Sequence, residues 1–357
     1  MDSIVIGAGV MGLLTARELA QAGMRVCVLD KSAVGQESSW AGGGILSPLY
    51  PWRYAEPVQK LAKWSQLVYP DLIASLRDSS GVDPERLQSG LLFLDSEEKQ
   101  AASRWAEAYQ TTLHLLDKQQ IAELSPNLGL LPEQGLWFPD LAQVRNPRLM
   151  KSLKLDCLKR GVDIRENLEV ESLLIRNNCI RGVQTSGEKL ESDNIIVCGG
   201  AWTANLLQDT DFTVEIQPVK GQMLLYKAQP EVLSQIVLNK DRYLIPRKDG
   251  RILVGSTLEY TGFDKSTSQV AQQNLQSVAS HIVPALARYP VEKHWAGLRP
   301  GTTDGIPYIY ADSKIDGLYV NSGHFRNGVV LGPASARLTA DLVLGRQPII
   351  DPALFKR

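Results

Sequence analysis

The chain opens on Ile4-Val5-Ile6 followed by Gly7-Ala8-Gly9-Val10-Met11-Gly12, and this stretch decides the fold. An apolar strand runs into a glycine-rich turn. The turn opens a helix that reads from Leu13 to Ala22 and is closed by Gly23. Arg25-Val26-Cys27-Val28-Leu29 then reads as a second strand, with Asp30 at its end. Each part has a task in a dinucleotide site. Gly7 permits the tight turn, Gly9 lets a pyrophosphate approach the backbone, and Gly12 lets helix and strand pack closely. The helix N-terminus offers unpaired N–H groups and a positive dipole end to phosphates. Asp30 can accept hydrogen bonds from both hydroxyls of an adenosine ribose. A glycine triplet alone also marks tight strand-to-helix turns in other α/β proteins. The strand before it, the helix after it and the acid beyond the next strand favour a dinucleotide.

The rest of the chain bounds the answer. Its 357 residues can hold a large core or two domains. Composition is that of a soluble globular protein, with 44% hydrophobic and 22% charged residues. A net charge of −1 gives no electrostatic case for nucleic acid or an anionic membrane. No apolar run reaches the ~18–20 residues of a membrane span. A first strand entered by Ile4 leaves no room for a signal peptide, so a cytoplasmic protein is expected. Cys27, Cys157, Cys179 and Cys198 are scattered without a CxxC pair and read as buried, reduced thiols. His114, His281, His294 and His324 lack metal-ligand spacing, so no metal site is expected.

Residues 36–52 form a loop rich in glycine and aromatic residues. Residues 56–80 read as a helix with Leu61, Trp64, Leu67 and Val68 on one face. Gly90–Asp95 reads as a strand, 96–125 as helix, Pro147–Arg160 as helix and Val162–Arg165 as strand. Val170–Ile175, Cys179–Thr185 and Lys189–Ser192 read as a short antiparallel set. Asn194–Cys198 is a buried strand running into Gly199-Gly200. Residues 217–260 alternate in strand fashion, 265–288 read as helix and His294–Arg299 as strand. Leu318–Gly323 is a strand leading to a helix that ends near Leu344. Nucleotide-domain elements thus stand at the start, middle and end, with β-rich insertions between them. The expected class is α/β: a Rossmann-like dinucleotide domain over 1–84, 144–216 and 301–357. An antiparallel-sheet substrate domain takes 85–143 and 217–300.

Seven ordered blocks carry a family signature. They are GAGVMG at Gly7–Gly12, ESSWAGGGILSPLYPW at Glu37–Trp52, VRNPRLMKSL at Val144–Leu153 and VKGQM at Val219–Met223. RYLIPRKDGRILVGST at Arg242–Thr257, HWAGLRPGTTDGIPYI at His294–Ile309 and GHFRNGVVLGPAS at Gly323–Ser335 complete the set. Through them the chain resembles the D-amino-acid oxidase/glycine oxidase family of flavoproteins, and within it the bacterial glycine oxidases of thiamine biosynthesis. The resemblance implies FAD rather than NAD. It places Val10 and Met11 on the pyrophosphate turn with Gly7, Gly9 and Gly12, and Asp30 and Lys31 at the adenosine ribose. Ser38 and Ser39 would bond the phosphates, Gly43, Gly44 and Ile45 would pass the flavin, and Val170 would meet adenine through its backbone. His324, Phe325, Arg326, Asn327, Gly328, Val329 and Val330 would pass the pyrimidine edge of the isoalloxazine. A helix starting near Gly328 would there stabilise the negative charge of the reduced flavin.

An amino-acid oxidase must hold one carboxylate and orient one Cα–H. A bidentate arginine suits the first task. Arg299 in GLRPG matches the family's carboxylate arginine, and Tyr243 in RYLIPR the tyrosine whose hydroxyl is a second donor. Arg326 in HFRNG matches a residue near the substrate amine, acting through its main-chain carbonyl; its charge is then structural or flavin-facing. Lys220 is expected in a supporting role, and Trp40, Trp52 and Trp202 as packing. No general base is needed, since the lone pair of the neutral amine drives hydride departure from Cα to flavin N5. The products would be an imine, then glyoxylate and ammonia from glycine, with O2 reduced to H2O2. The resemblance also implies a homo-oligomer, commonly a tetramer. Glycine at 297, where related sarcosine oxidases carry a cysteine that tethers FAD, implies non-covalent FAD. Asp241, Ile45 and Leu258 depart from the family's histidine and methionines, which leaves the order among glycine, sarcosine and D-alanine open. The alternatives are a D-amino-acid (D-alanine or D-proline) dehydrogenase feeding a quinone or partner, and a flavin-binding subunit of a hetero-oligomer. A simple NAD dehydrogenase explains the opening motif but not the later blocks.

Overall fold

In the computed structural model, β1 (Ser3–Ile6) is buried along its length, and α1 (Val10–Gln21) leaves it through Gly7 and Gly9. β2 (Val26–Leu29) returns parallel to β1. The structure describes residues 1–208, 210 and 214–356. Positions 209, 211–213 and 357, which fall in the expected dinucleotide segments 144–216 and 301–357, lie outside the described residues. Helix α1 begins at Val10 rather than Leu13, because Gly9 caps it in an extended conformation and Gly12 sits inside the first turn. A single turn, α2 (Ser38–Ala41), precedes the long helix α3 (Glu56–Ser80), which Gly81 closes at φ 70°.

Next come β3 (Leu91–Phe93), α4 (Lys99–Ala108), β4 (His114–Asp117), α5 (Lys118–Leu124) and β5 (Gln134–Phe138). The continuous helix expected over 96–125 is therefore wrong. Gln110 turns the chain at φ 48°, and β4 pairs with β5 as a largely exposed edge strand. Asp117 then starts α5 in a capping box with Gln120. Four mostly exposed strand residues leave no alternation to read.

The chain continues through α6 (Asn146–Lys159), β6 (Asp163–Arg165), β7 (Val170–Arg176), β8 (Cys179–Thr185), β9 (Lys189–Glu191) and β10 (Ile195–Val197). After α7 (Thr203–Leu206) come β11 (Ile216–Tyr226), β12 (Ile236–Asn239), β13 (Arg242–Pro246), β14 (Ile252–Gly255) and α8 (Gln269–Ile282). The last elements are β15 (Val291–Thr302), β16 (Tyr308–Ala311), β17 (Leu318–Ser322) and α9 (Gly328–Val343).

One sheet has the order β16-β17-β10-β1-β2-β6 and is parallel apart from edge strand β16. Helices α1, α3, α6 and α9 pack about its first face, and the β7-β8-β9 sheet shares a core with the second. The other sheet runs β15-β11-β14-β13-β12-β3-β5-β4, antiparallel except where β12 meets β3. Strand alternation divides its residues. Leu224, Leu244 and Val254 pack under Leu275 and Ile282 of α8, while Met223, Tyr243 and Ile245 belong to a separate cluster on the opposite face. That opposite face looks toward the first sheet. Among the described residues no helix is long and apolar enough to cross a membrane.

Candidate active site

Between the C-terminal ends of β1, β2, β10 and β17 and the inner face of the eight-stranded sheet lies a cavity of about 490 Å³. Ligands of open α/β sheets bind at such strand ends. Gly7 turns there at φ 105°, where an added Cβ would stand 2.4 Å from the Cys198 carbonyl oxygen. The first-turn N–H groups of α1 have no carbonyl within the helix. Val10 N–H donates to Ser39 Oγ at 2.9 Å, which leaves the Ser39 hydroxyl proton for a phosphate. Asp30 is held in place: Ala8 N–H donates to one carboxylate oxygen at 2.7 Å and Ser32 N–H to the other at 2.9 Å. The first oxygen keeps acceptor capacity toward a ribose, while the second also takes the Ser32 hydroxyl at 3.1 Å. Val170 lines the same end, and Lys31 Nζ sits 3.9 Å from the ring centroid of Trp202.

At the other end, β17 turns into α9 through Gly323 at φ 84° and Phe325 at φ 46°. Phe325 holds this left-handed conformation with its N–H on the Pro300 carbonyl at 2.9 Å. The first-turn N–H groups of α9, from Gly328 to Val330, line the cavity. His324 is buried, and burial pulls its pKa down to about 3, so it is neutral. Ser335 Oγ donates to the Leu331 carbonyl, so His324 Nε2, 2.9 Å away, carries the proton that meets it. Gly43, Gly44 and Ile45 form the facing wall, where buried Arg247 donates to the Gly43 and Val144 carbonyls at 2.8 and 3.0 Å. Burial lowers Arg247 to about 10, still cationic at neutral pH. Two helix N-termini, a ribose acid and a wall of small residues make a cradle that fits FAD. Gly12 and Asn327 stand outside the lining: Gly12 packs α1 on the Gly7 turn, and Asn327 caps α9.

The floor of the remaining space is a row across the sheet. Tyr243 pairs with Gly255, Gly255 with Met223, and Met223 with Trp295. Two residues further along β11, Gly221 faces Gly297. A Cβ on Gly221 would lie 2.1 Å from the Arg299 guanidinium, and one on Gly255 would lie 2.3 Å from Met223 Sδ. Bare backbone thus lets Arg299 and Met223 lie flat. Arg299 donates to Ser256 Oγ at 2.7 Å and to the Thr257 carbonyl at 3.3 Å. Burial pulls its pKa below the arginine norm, the neighbouring Tyr243 opposes this, and the Arg326 charge adds to it. Among the described residues no carboxylate forms an ion pair with Arg299, although the Glu259 charge reaches it, so an incoming carboxylate would find a desolvated, oriented cation. Tyr243 Oη has Met223 Sδ, a weak acceptor, at 3.4 Å.

The structure thus brings Tyr243, Arg299 and Arg326 into one cavity with the expected FAD-binding residues other than Gly12 and Asn327. Arg326 also lines an adjoining hollow that contains Asp95 and Asp241. Ile45 lines the cavity, whereas Leu258 is 48% exposed and does not. A Cβ on Gly297 would lie 2.6 Å from that of Ala41, so nothing larger fits there. Lys220 is buried and roots a strap: it bonds Asp264 at 2.8 Å, Glu259 at 3.3 Å and the Ser266 carbonyl at 3.3 Å. The strap crosses to the first sheet's side through Lys265–Glu37 at 2.9 Å and a Phe263–Trp202 stack at 5.4 Å. Trp40 packs on Trp295, and Trp52 on Tyr50 and Phe93. Sequence reading missed Met223, Ser256 and Arg247. The alternation within VKGQM and RYLIPR could have put Met223 on the Tyr243 face, but Ser256 and Arg247 had no local signal.

Comparison with known proteins agrees with this geometry. The family model described as DAO, FAD dependent oxidoreductase, matches residues 2–342. A glycine oxidase of Pseudomonas aeruginosa is 46% identical over 353 residues, covering 99% of this chain and 97% of the relative. A bifunctional ThiO/ThiG protein of Trichormus variabilis is 30% identical, and this chain matches 54% of its length. The crystal structure of glycine oxidase from Geobacillus kaustophilus superposes with a TM-score of 0.95 at 29% identity, covering 99% of this chain and 97% of that one. With its cradle for a dinucleotide and its arginine-tyrosine floor, the chain belongs to the FAD dependent oxidoreductase family, on the branch of the glycine oxidases.

Proposed function

We propose that this protein oxidises glycine and other small amino acids, sarcosine and D-alanine among them. The observation that carries the reading is the buried Arg299, without an ion pair among the described residues, beside a Tyr243 hydroxyl whose proton rests on a thioether, on a floor of bare backbone. FAD held in the cradle would supply the acceptor for a hydride from Cα and the route of its electrons to O2, giving H2O2. Arg299 and Tyr243 hold the substrate carboxylate, and Arg326 lies at the amine side. Ile45 and Met223 keep water from the reacting carbon. The lining carboxylates Asp30, Glu37, Glu169 and Glu171 lie outside the floor, so the amine reaches reactivity by losing its proton to solvent. The imine product then gives glyoxylate and ammonia or enters thiazole assembly for thiamine, a link that the ThiO name of relatives supports.

FAD is held without a covalent bond in this reading: Gly297 offers no tether, and burial pushes the lining Cys198 thiol up to about 12. The division into an FAD-binding domain (1–84, 144–216, 301–357) and a substrate domain (85–143, 217–300), a homotetramer and a cytoplasmic location belong to the same proposal. Four free cysteines accord with the last. Anaerobic mixing with glycine, sarcosine and D-alanine in turn, followed by air, tests the function. Bleaching of the flavin by glycine with prompt recolouring and peroxide is expected. Slow recolouring would make it a dehydrogenase, and no bleaching by any of the three would remove the substrate assignment.

A further inference from the structure

Met223 sits in the middle of the floor. It is 2% exposed, its sulfur lies 3.4 Å from Tyr243 Oη, and it lines the cavity that holds Arg299. The bare backbone of Gly255 beneath it leaves the thioether lying flat against the strand. Accepting the oxidase reading above, peroxide forms inside this same enclosed space. Of the other methionines, Met11 lines the dinucleotide end and Met1 is exposed at the chain terminus.

We propose that Met223 is a self-oxidation site, converted to the sulfoxide by the peroxide of the enzyme's own turnover, and that this conversion weakens the carboxylate grip. The thioether sulfur attacks one peroxide oxygen. The O–O bond breaks, an S–O bond forms, and the second oxygen leaves with both protons as water. Sulfur gives up two electrons and the peroxide accepts them. The chemistry at Tyr243 then changes sign. A thioether is a weak acceptor that yields Tyr243 Oη to an incoming carboxylate. A sulfoxide oxygen is a strong acceptor on a polar group, within reach of the Tyr243 hydroxyl and beside the Arg299 fork. It competes with the substrate for the same donors.

The test is holoenzyme turning over glycine in air with catalase present, which destroys bulk peroxide but cannot enter the cavity. Trypsin releases Gly221–Lys227, in which Met223 is the sole methionine. The peptide should gain one oxygen in proportion to turnovers, while enzyme incubated without glycine stays unmodified. KM for glycine should rise about tenfold or more, the loss of one hydrogen bond to a charged group, with FAD content unchanged. Met223→Leu, followed against its own starting KM, should show no drift. An unmodified peptide after proven peroxide formation overturns the inference, as does a modified peptide with an unmoved KM. No peroxide at all would overturn the oxidase reading first, and the self-oxidation with it.

Discussion

What surrounds Arg299 suits it to the carboxylate role proposed above. The guanidinium lies over Gly221, is oriented by Ser256 and Thr257, and among the described residues forms no ion pair, the Glu259 charge acting on it from further off. On the proposed reading, Arg299→Ala removes one member of a desolvated charge pair with the substrate, costing about 2–5 kcal/mol of glycine binding. The expected result is a KM raised by at least ~30-fold with FAD still bound; steady-state kinetics beside a flavin spectrum would check it, and an unchanged KM would remove Arg299 from the carboxylate. At this scale the sequence was partly legible. Arg299 and Tyr243 stand in blocks whose residue order carries the family resemblance. Arg247 was not legible, because its task is to hold the carbonyls of Gly43 and Val144, residues far away in the chain. Leu258, which departs from a family methionine, faces solvent, whereas Ile45, the other such departure, lines the cavity.

Helix α9 carries a proline in its interior, and the fold repairs the damage with α3. Pro333 cannot donate to the Val329 carbonyl, and the Tyr69 hydroxyl donates there instead. One residue on, Ala334 N–H donates to Ser65 Oγ at 3.0 Å. The defect thus becomes a seam between two helices, just behind the N-terminus that lines the cavity. Tyr69→Phe should leave a buried carbonyl without its donor and cost about 1–3 kcal/mol of stability, read from urea denaturation. A loss below a few tenths would show that the carbonyl finds another partner. Long helices such as α3 and α9 were legible from apolar spacing and their glycine ends. The edge strand β4 was not, since exposure erases the alternation that marks a strand.

Across the whole molecule, the helical layer is pinned by one buried acid. Asp156 of α6 accepts from Arg17 of α1 at 2.9 Å, from Arg160 at 2.7 Å, and from Ser79 of α3. Burial pushes its carboxyl up, but the bonds from Arg160 and Ser79 and the charge of Arg17 outweigh this and hold it below the ordinary 3.8. A depressed native pKa means stability that is fully present above the unfolded value and lost as pH falls through the native one. Asp156→Asn should therefore be less stable than wild type by about 1.5–3 kcal/mol at neutral pH. The gap should close in acid, where the wild-type carboxyl is itself protonated; a gap independent of pH in denaturation curves would reject the charge as its cause. The cavity between the sheets takes its lining from short stretches spread between Ile6 and Val330, separated by long ones such as 50–167 and 244–296 that contribute none. Such a site cannot be lifted out as a cassette: any piece of the chain that lacks one of those stretches lacks a wall, whereas a break within 50–167 or 244–296 removes no lining residue.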